Sequence, residues 1–140
     1  MTLLAPFHLA IPVSNLDEAK NFYEDKLECK PGRFTKEWAD YSFFGHQLVL
    51  HEDINHKGQK HFNEVDGKNV PIPHFGVVLN WNVFQIFSKK LIEKNIDFQI
   101  EPYLRFEGLP GEQMTMFFYD PSGNALEFKS FKNIDQLFAT

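Results

Sequence analysis

In the run FHLAIPV (7–13), Phe7, Leu9, Ile11 and Val13 alternate with His8, Ala10 and Pro12. A period of two predicts a strand with one bulky face and one small or polar face. The run beginning PHFGVVL (73–79) repeats the arrangement over residues 75–81, with Phe75, Val77, Leu79 and Trp81 together, opposite His74, Gly76 and Val78. Near the C-terminus, NALEFKS sets Leu126 and Phe128 against Ala125 and Glu127. In all three runs the bulky face is expected to pack on helices and the other to line a concave space. His8, His74 and Glu127 belong to that second face.

Between these runs the spacing becomes helical. Leu16, Ala19, Phe22, Tyr23 and Leu27 recur at helical intervals behind Ser14 and Asn15, either of which can cap, with Asp17 and Glu18 in the first turn. In the second half, Asn82 is expected to cap a helix whose Val83, Ile86, Phe87 and Leu91 form the buried stripe. Lys89, Lys90 and Lys94 suit its C-terminal end, and Asn95 the left-handed position beyond it. Strand-like pieces follow each helix. WADYSFF and HQLVLHE flank a Gly45 turn; DFQIEPY, QMTMFFY and NALEFKS come after the second helix, with Pro121, Ser122 and Gly123 turning the last hairpin.

The plan of strand, helix and two or three antiparallel strands thus occurs twice, with His8 and His74 standing 66 residues apart. One recurrence at that offset reads as a duplicated module, not a solenoid. The expected fold class is α+β, as one domain over 1–140. Module 1 covers about 1–52, a polar linker or lid about 53–71, module 2 about 72–131, and a tail 132–140.

Composition narrows the class. With 140 residues, 43% hydrophobic and 24% charged, the chain reads as one globular domain. Its 16 phenylalanines point to aromatic-rich packing or an aromatic-lined pocket. A net charge of −5 without a basic cluster argues against a nucleic-acid partner. No apolar run approaches ~18 residues and no charged leader opens the chain, so no membrane association is expected and the cytoplasm is the expected location. Cys29, alone, excludes an internal disulfide and reads as a packed residue at a helix end.

The chemistry begins at Glu127. A carboxylate in a half-buried strand needs a partner, because an unpaired buried charge is costly. A metal ion shared with His8 and His74 supplies one. Laying GHQLVLHE over GNALEFKS from the shared glycine puts Val49 where the other module has Glu127. Two related modules therefore offer four positions and fill three, His8, His74 and Glu127. Two imidazoles and one carboxylate with open coordination positions suit a non-haem Fe(II) site. His51 lies two residues beyond Val49 on the same face. His56 and His61, in the polar segment, read as solvated, and His46, on the opposite face of its strand, as structural.

The segments FHLAIPVSNLDEAKNFYEDKLECKPGR, IPHFGVVL and MFFYDPSGNALEFKSF resemble the vicinal oxygen chelate superfamily, which includes glyoxalase I, bleomycin-resistance proteins and extradiol dioxygenases. The resemblance covers nearly the whole chain and is greatest to the small extradiol-dioxygenase-like proteins. It implies two βαβββ modules forming a cup-shaped mixed sheet backed by helices. It also implies one divalent metal on His8, His74 and Glu127: Fe(II) first, with Mn(II), Zn(II) or Ni(II) as substitutes. The glyoxalase-type site has a fourth protein ligand, a glutamate at the place of Val49, and its absence favours the three-ligand dioxygenase arrangement. His51 matches the acid/base histidine of extradiol enzymes.

Two departures stand out. Phe117 occupies the place of a tyrosine in ring-cleaving relatives, and RFEGLPGEQ lacks a histidine that many of them use. Tyr119 is a candidate to supply the missing hydroxyl. Arg105 is a candidate clamp for a substrate carboxylate, and Thr115 and Phe117 are candidate walls of the substrate site. The implied function is extradiol cleavage of a small catecholic or vicinal-oxygen substrate by dioxygen, in a homodimer. The alternatives are a glyoxalase-like lyase or isomerase without oxygen, and a metal-free protein that binds a small molecule or antibiotic.

Overall fold

A computed structural model describes residues 4–58 and 61–140. They form two four-stranded mixed sheets, a two-stranded hairpin and few helices, with no sheet closed into a barrel among the described residues. The chain divides into two compact units, one reaching to residue 58 and including 120–123, the other comprising the rest.

In the first unit, β1 (His8–Val13) leads into α1 (Leu16–Asn21), which runs on as a π turn over Phe22–Lys26. β2 (Lys30–Phe34), β3 (Trp38–Phe43) and β4 (His46–Glu52) complete a sheet of order β1-β4-β3-β2, with β1 parallel to β4 and the other pairs antiparallel. The alternation in β1 has the expected sense: Ile11 and Val13 are buried while His8, Ala10 and Pro12 are exposed. The Asn15 side chain caps α1 by accepting from the Glu18 amide at 2.9 Å, and Leu16, Ala19, Phe22, Tyr23 and Leu27 are all buried. Phe44 and Gly45 both adopt left-handed φ, as a two-residue hairpin turn requires. The edge strand β2 goes beyond the sequence expectation. All five of its residues are exposed and it contains Pro31 and Gly32, so it carries no alternation to read.

The turn 120–123 anchors this unit. Asp120, 3% exposed, accepts from the Tyr23 hydroxyl at 2.8 Å and from the Ser122 amide at 2.9 Å. The Ser122 hydroxyl in turn accepts from the Ser14 amide at 2.9 Å. Burial, with Asp120 alongside, holds the Tyr23 phenol well above its ordinary value, so it remains a donor. Replacing Tyr23 by phenylalanine removes that donor from a buried carboxylate. The expected loss is about 1–3 kcal/mol, read as a lower urea midpoint at unchanged slope.

The second unit opens with a hairpin of β5 (His61–Val65) and β6 (Lys68–Ile72), in the segment expected to be a linker or lid. Val70 packs with Ile100 and Phe117, flanked by Val65 and Tyr103. The βαβββ plan then recurs as β7 (His74–Phe75), α2 (Trp81–Glu93), β8 (Phe98–Arg105), β9 (Gln113–Tyr119) and β10 (Ala125–Phe131), with sheet order β7-β10-β9-β8. Two expectations shift here. The strand stops at Phe75 and Trp81 opens the helix, because Asn80, not Asn82, is the cap, its side chain accepting from the Asn82 amide at 3.0 Å. The buried stripe is Phe84, Phe87, Ser88 and Leu91, so Phe87 and Leu91 face the core as expected while Val83 and Ile86 are exposed. Phe87, Phe118 and Phe128 pack together in the core, which accounts for part of the phenylalanine load.

Candidate metal centre

The register in the second unit fixes which side chains share a face. β7 runs parallel to β10 with His74 beside Ala125, and β10 pairs with β9 so that Glu127 faces Phe117 and Lys129 faces Thr115. His74, Glu127, Phe117, Thr115, Tyr119 and Lys129 therefore lie on one face. Through the pairs Tyr103–Thr115 and Arg105–Gln113, β8 adds Tyr103 and Arg105. The phase of β9 thereby puts Thr115 and Phe117 on the Glu127 face.

On that face, His74 Nε2 lies 3.0 Å from Glu127 Oε1. His74 Nδ1 lies 2.7 Å from the Pro71 carbonyl, which can only accept, so Nδ1 carries a proton and donates it. Nε2 then faces a carboxylate, also an acceptor, and a cation belongs between them. In the metal-free protein that cation is a proton. The hydrogen bond with Glu127 raises the His74 pKa, against the opposing effect of burial and with help from the Pro71 carbonyl. Burial pushes the Glu127 carboxyl upward, but hydrogen bonds from His74 and Thr115 and the charge of Lys129, 3.7 Å away, outweigh it and hold Glu127 below its usual value. Phe117, 3% exposed, sets its ring edge-on against His74 at 5.1 Å. An imidazole Nε2 held by a backbone carbonyl through Nδ1, beside a hydrogen-bonded carboxylate, is a donor set that fits a divalent first-row metal.

Mutual charge stabilisation predicts a measurable titration. In the metal-free protein the His74 ring is expected to titrate above 6.5, and Glu127→Gln to bring it down. Ring proton chemical shifts followed against pH check this; an unchanged midpoint in the variant contradicts the pairing.

The first unit holds the other expected residues. β1 and β4 pair His8 with Gln47, Ala10 with Val49 and Pro12 with His51, while β3 brings Asp40 beside Val49 and Trp38 beside His51. His8, Val49 and His51 thus share a face, as the alternation indicated. Val49 stands to His8 as Glu127 stands to His74, two residues beyond the histidine's neighbour on the partner strand in each case. His8 Nδ1 lies 2.9 Å from Gln47 Oε1, and His8 and His51 are both exposed.

Among the described residues, no group of three or more His, Cys, Asp and Glu side chains is gathered to hold a metal ion. What is assembled is the pair His74–Glu127. Arg105 is bound to Asp66 through its Nε and lies 4.8 Å over the Phe106 ring, and Tyr103 donates to the same Asp66 at 3.0 Å. The Thr115 hydroxyl, expected to line a wall, donates to Glu127 instead. Burial raises the Tyr119 phenol above its ordinary value.

Among the remaining histidines, His46 Nδ1 accepts from the Phe7 amide at 2.8 Å, in keeping with a structural part, and His61 is exposed. His56, expected to be solvated, is half-buried, with a buried Nε2 that has no partner among the described residues. Cys29 is buried, and desolvation pushes its thiol to about 12. It is expected to resist iodoacetamide at neutral pH until the protein is unfolded, as mass spectrometry can follow. Sequence reasoning missed Lys129, Pro71 and the role of Thr115. The period of two in β10 does place Lys129 on the Glu127 face, but the Pro71 carbonyl and the Thr115 hydroxyl need strand register to be seen.

The profile of the Glyoxalase/Bleomycin resistance protein/Dioxygenase superfamily matches residues 6–128. A glyoxalase/bleomycin resistance protein/dioxygenase from Alicyclobacillus acidocaldarius is 35% identical over 96% of both chains, with a TM-score of 0.79. A lactoylglutathione lyase from Agrobacterium tumefaciens (14% identity, 97% of both chains, TM-score 0.63) has the same fold. So does a fosfomycin resistance protein from Listeria monocytogenes (10% identity, 97% of this chain and 98% of that one, TM-score 0.66). No curated relative matches the sequence.

Proposed function

Because the chain belongs to the glyoxalase/bleomycin resistance protein/dioxygenase superfamily, we propose that it is a metal-dependent enzyme acting on a small molecule with two adjacent oxygens, as an extradiol-type ring-cleavage dioxygenase. His74, Glu127 and His8 are the ligands of one divalent metal, Fe(II) first and Mn(II) second. The observation that carries this reading is the 3.0 Å approach of His74 Nε2 to Glu127 Oε1, with the far side of each group held by another residue. A metal bound there supplies Lewis acidity toward a chelating substrate and open positions for oxygen.

The chain's own groups do the rest. Thr115 and Lys129 hold the carboxylate in its ionised state. Phe117 gives the His74 side an apolar wall that excludes water. His51, exposed on the His8 face, takes the proton released by a substrate hydroxyl and returns it later. Arg105, oriented by Asp66, offers its remaining N–H groups to a substrate carboxylate, and Tyr119 is a further hydroxyl on the Glu127 face.

His8 joins the pair from the same chain or from a second copy in a homodimer. Mixing His8→Ala with Glu127→Ala protein separates the two arrangements. Ligands drawn from different chains leave one intact site in each mixed dimer and restore activity; ligands from one chain leave none.

A non-oxidative lyase or isomerase is the second reading. It is favoured by Phe117, which lacks the hydroxyl that ring-cleaving relatives carry at its place, and it uses the same ligands. Anaerobic loading with Fe(II), then oxygen uptake across a panel of catechols, decides between them. Uptake in step with ring opening supports the dioxygenase. A fully loaded protein that consumes no oxygen, yet turns over anaerobically on glutathione hemithioacetals or epoxides, supports the lyase. Ligand binding that survives His8→Ala and Glu127→Ala unchanged points to a binding protein and removes both enzyme readings.

A further inference from the structure

We infer that Asp40 and Gln47 are positioning residues for His8: through the Gln47 amide, the Asp40 carboxylate sets the imidazole in the tautomer that leaves Nε2 unprotonated and free to bind. The purpose assigned to this relay rests on the metal reading above; the relay itself does not.

Strand register puts Gln47 beside His8 and Asp40 beside Val49, all on one face. Gln47 Nε2 lies 3.5 Å from Asp40 Oδ2, and Gln47 Oε1 lies 2.9 Å from His8 Nδ1. The two ends of an amide can be exchanged in principle, but a carboxylate only accepts, so the nitrogen end must face Asp40. The oxygen end then faces His8, and an amide oxygen also only accepts. Nδ1 must therefore be the donor. In the neutral ring this leaves the lone pair on Nε2. The neutral ring of a histidine side chain in water prefers the opposite tautomer, with its proton on Nε2, so the relay selects the form that is ready to ligate.

The setting of Asp40 supports its part. Its Oδ1 is buried with no hydrogen-bond partner among the described residues, so that oxygen is turned away from solvent. It occupies space that β2 leaves open at Gly32, where an added Cβ would stand 2.3 Å from Oδ1. A buried oxygen without a partner is costly and calls for a reason, and orienting Gln47 provides one. In the second module the Pro71 carbonyl likewise keeps a proton on His74 Nδ1. Duplicated modules thus fix the Nδ1 proton by two devices, a backbone carbonyl in one and a side-chain chain of two residues in the other.

The test is nitrogen and carbon NMR of the His8 ring in the metal-free protein, at a pH where the ring is neutral, together with Mn(II) affinity. The wild type is expected to carry its proton on Nδ1. Gln47→Leu is expected to move it predominantly to Nε2 and to weaken Mn(II) binding by ~10–100-fold, the usual cost of losing an outer-shell partner. Asp40→Asn, which frees the amide to turn, should give a mixture of tautomers. Combining Asp40→Asn with Gln47→Glu should restore the wild-type pattern, since the introduced carboxylate accepts from Nδ1 and the introduced amide donates to it. That rescue separates positioning from simple structural damage. A wild-type ring protonated on Nε2, or a Gln47→Leu protein with an unchanged tautomer, overturns the inference. A wild type that binds no Mn(II) but whose tautomer follows the variants as stated upholds the relay and defeats the metal reading.

Discussion

Gly76→Ala is expected to destabilise the protein by about 3 kcal/mol or more, at or beyond the upper end of what overpacking costs, and to abolish metal uptake with it. An added Cβ at Gly76 would stand 1.5 Å from the Glu127 carbonyl oxygen and 2.6 Å from its carbon. Both are backbone atoms of the neighbouring strand, so no side-chain rotation relieves the collision and β7 must draw away from β10. The displaced elements are the ones that bring His74 to Glu127. Module 1 offers an internal comparison. Ala10 holds the equivalent register position, beside Val49, and accommodates its methyl because β1 pairs with β4 over six residues while β7 is regular for only two. Urea unfolding followed by circular dichroism measures the loss. A variant as stable as the wild type would show that the close approach at Gly76 does not hold the strands.

Glu127→Gln keeps the shape of the side chain and removes its charge, and its expected effect on metal binding is larger than that of changing Thr115 or Lys129, which support the carboxylate. Mn(II) affinity should fall by more than the ~10–100-fold typical of an outer-shell loss. Stability separates two consequences with opposite pH dependence. In the metal-free protein, the raised His74 pKa means its contribution is complete below about 6.5 and fades as pH rises through the folded value. The lowered Glu127 pKa means its contribution is complete above 4.5 and fades as pH falls through the folded value. The wild type should therefore exceed the variant most between pH 4.5 and 6.5, by about 1.5–3 kcal/mol, the range for a charged hydrogen bond. With metal the trend reverses, since the ion competes with the proton between Nε2 and Oε1 and binds better as pH rises. Saturating Mn(II) should raise the wild-type melting temperature, by ~2.7 kcal/mol of stabilisation at a hundred times Kd, and leave Glu127→Gln unmoved.

Much of this site can be read from the order of residues because strand alternation is a hard geometric rule. His8, Glu127 and their neighbours fall on the faces that a period of two assigns them, and aligning GHQLVLHE with GNALEFKS puts Val49 where the register confirms it. The first helix was equally legible, since Leu16, Ala19, Phe22, Tyr23 and Leu27 form an unbroken buried stripe. In the second helix Phe87 and Leu91 lie on the buried stripe as expected, while Phe84 and Ser88 stand there in place of Val83 and Ile86; its start is ambiguous in the sequence because Asn80 and Asn82 are both competent caps. β2 and the 61–72 hairpin left little trace. β2 and β5 are almost wholly exposed, so no burial pattern marks them, and β6 buries only Val70 and Pro71; sheet pairing rather than propensity makes them strands. The supports of the site depend on cross-strand register, which a single sequence does not encode locally. Thr115 reaches Glu127 from the next strand, Pro71 reaches His74 through the turn before β7, and Asp40 reaches His8 only through Gln47.

The most direct measurement is the metal content of the purified protein after anaerobic equilibration with Mn(II), set beside His8→Ala, His74→Ala and Glu127→Ala, each shown to be folded by circular dichroism. One ion per chain in the wild type, and its loss in all three variants, is the predicted result. A folded Glu127→Ala protein that keeps a full complement of Mn(II), or a wild type that takes up none, contradicts the assignment of these three residues to one metal.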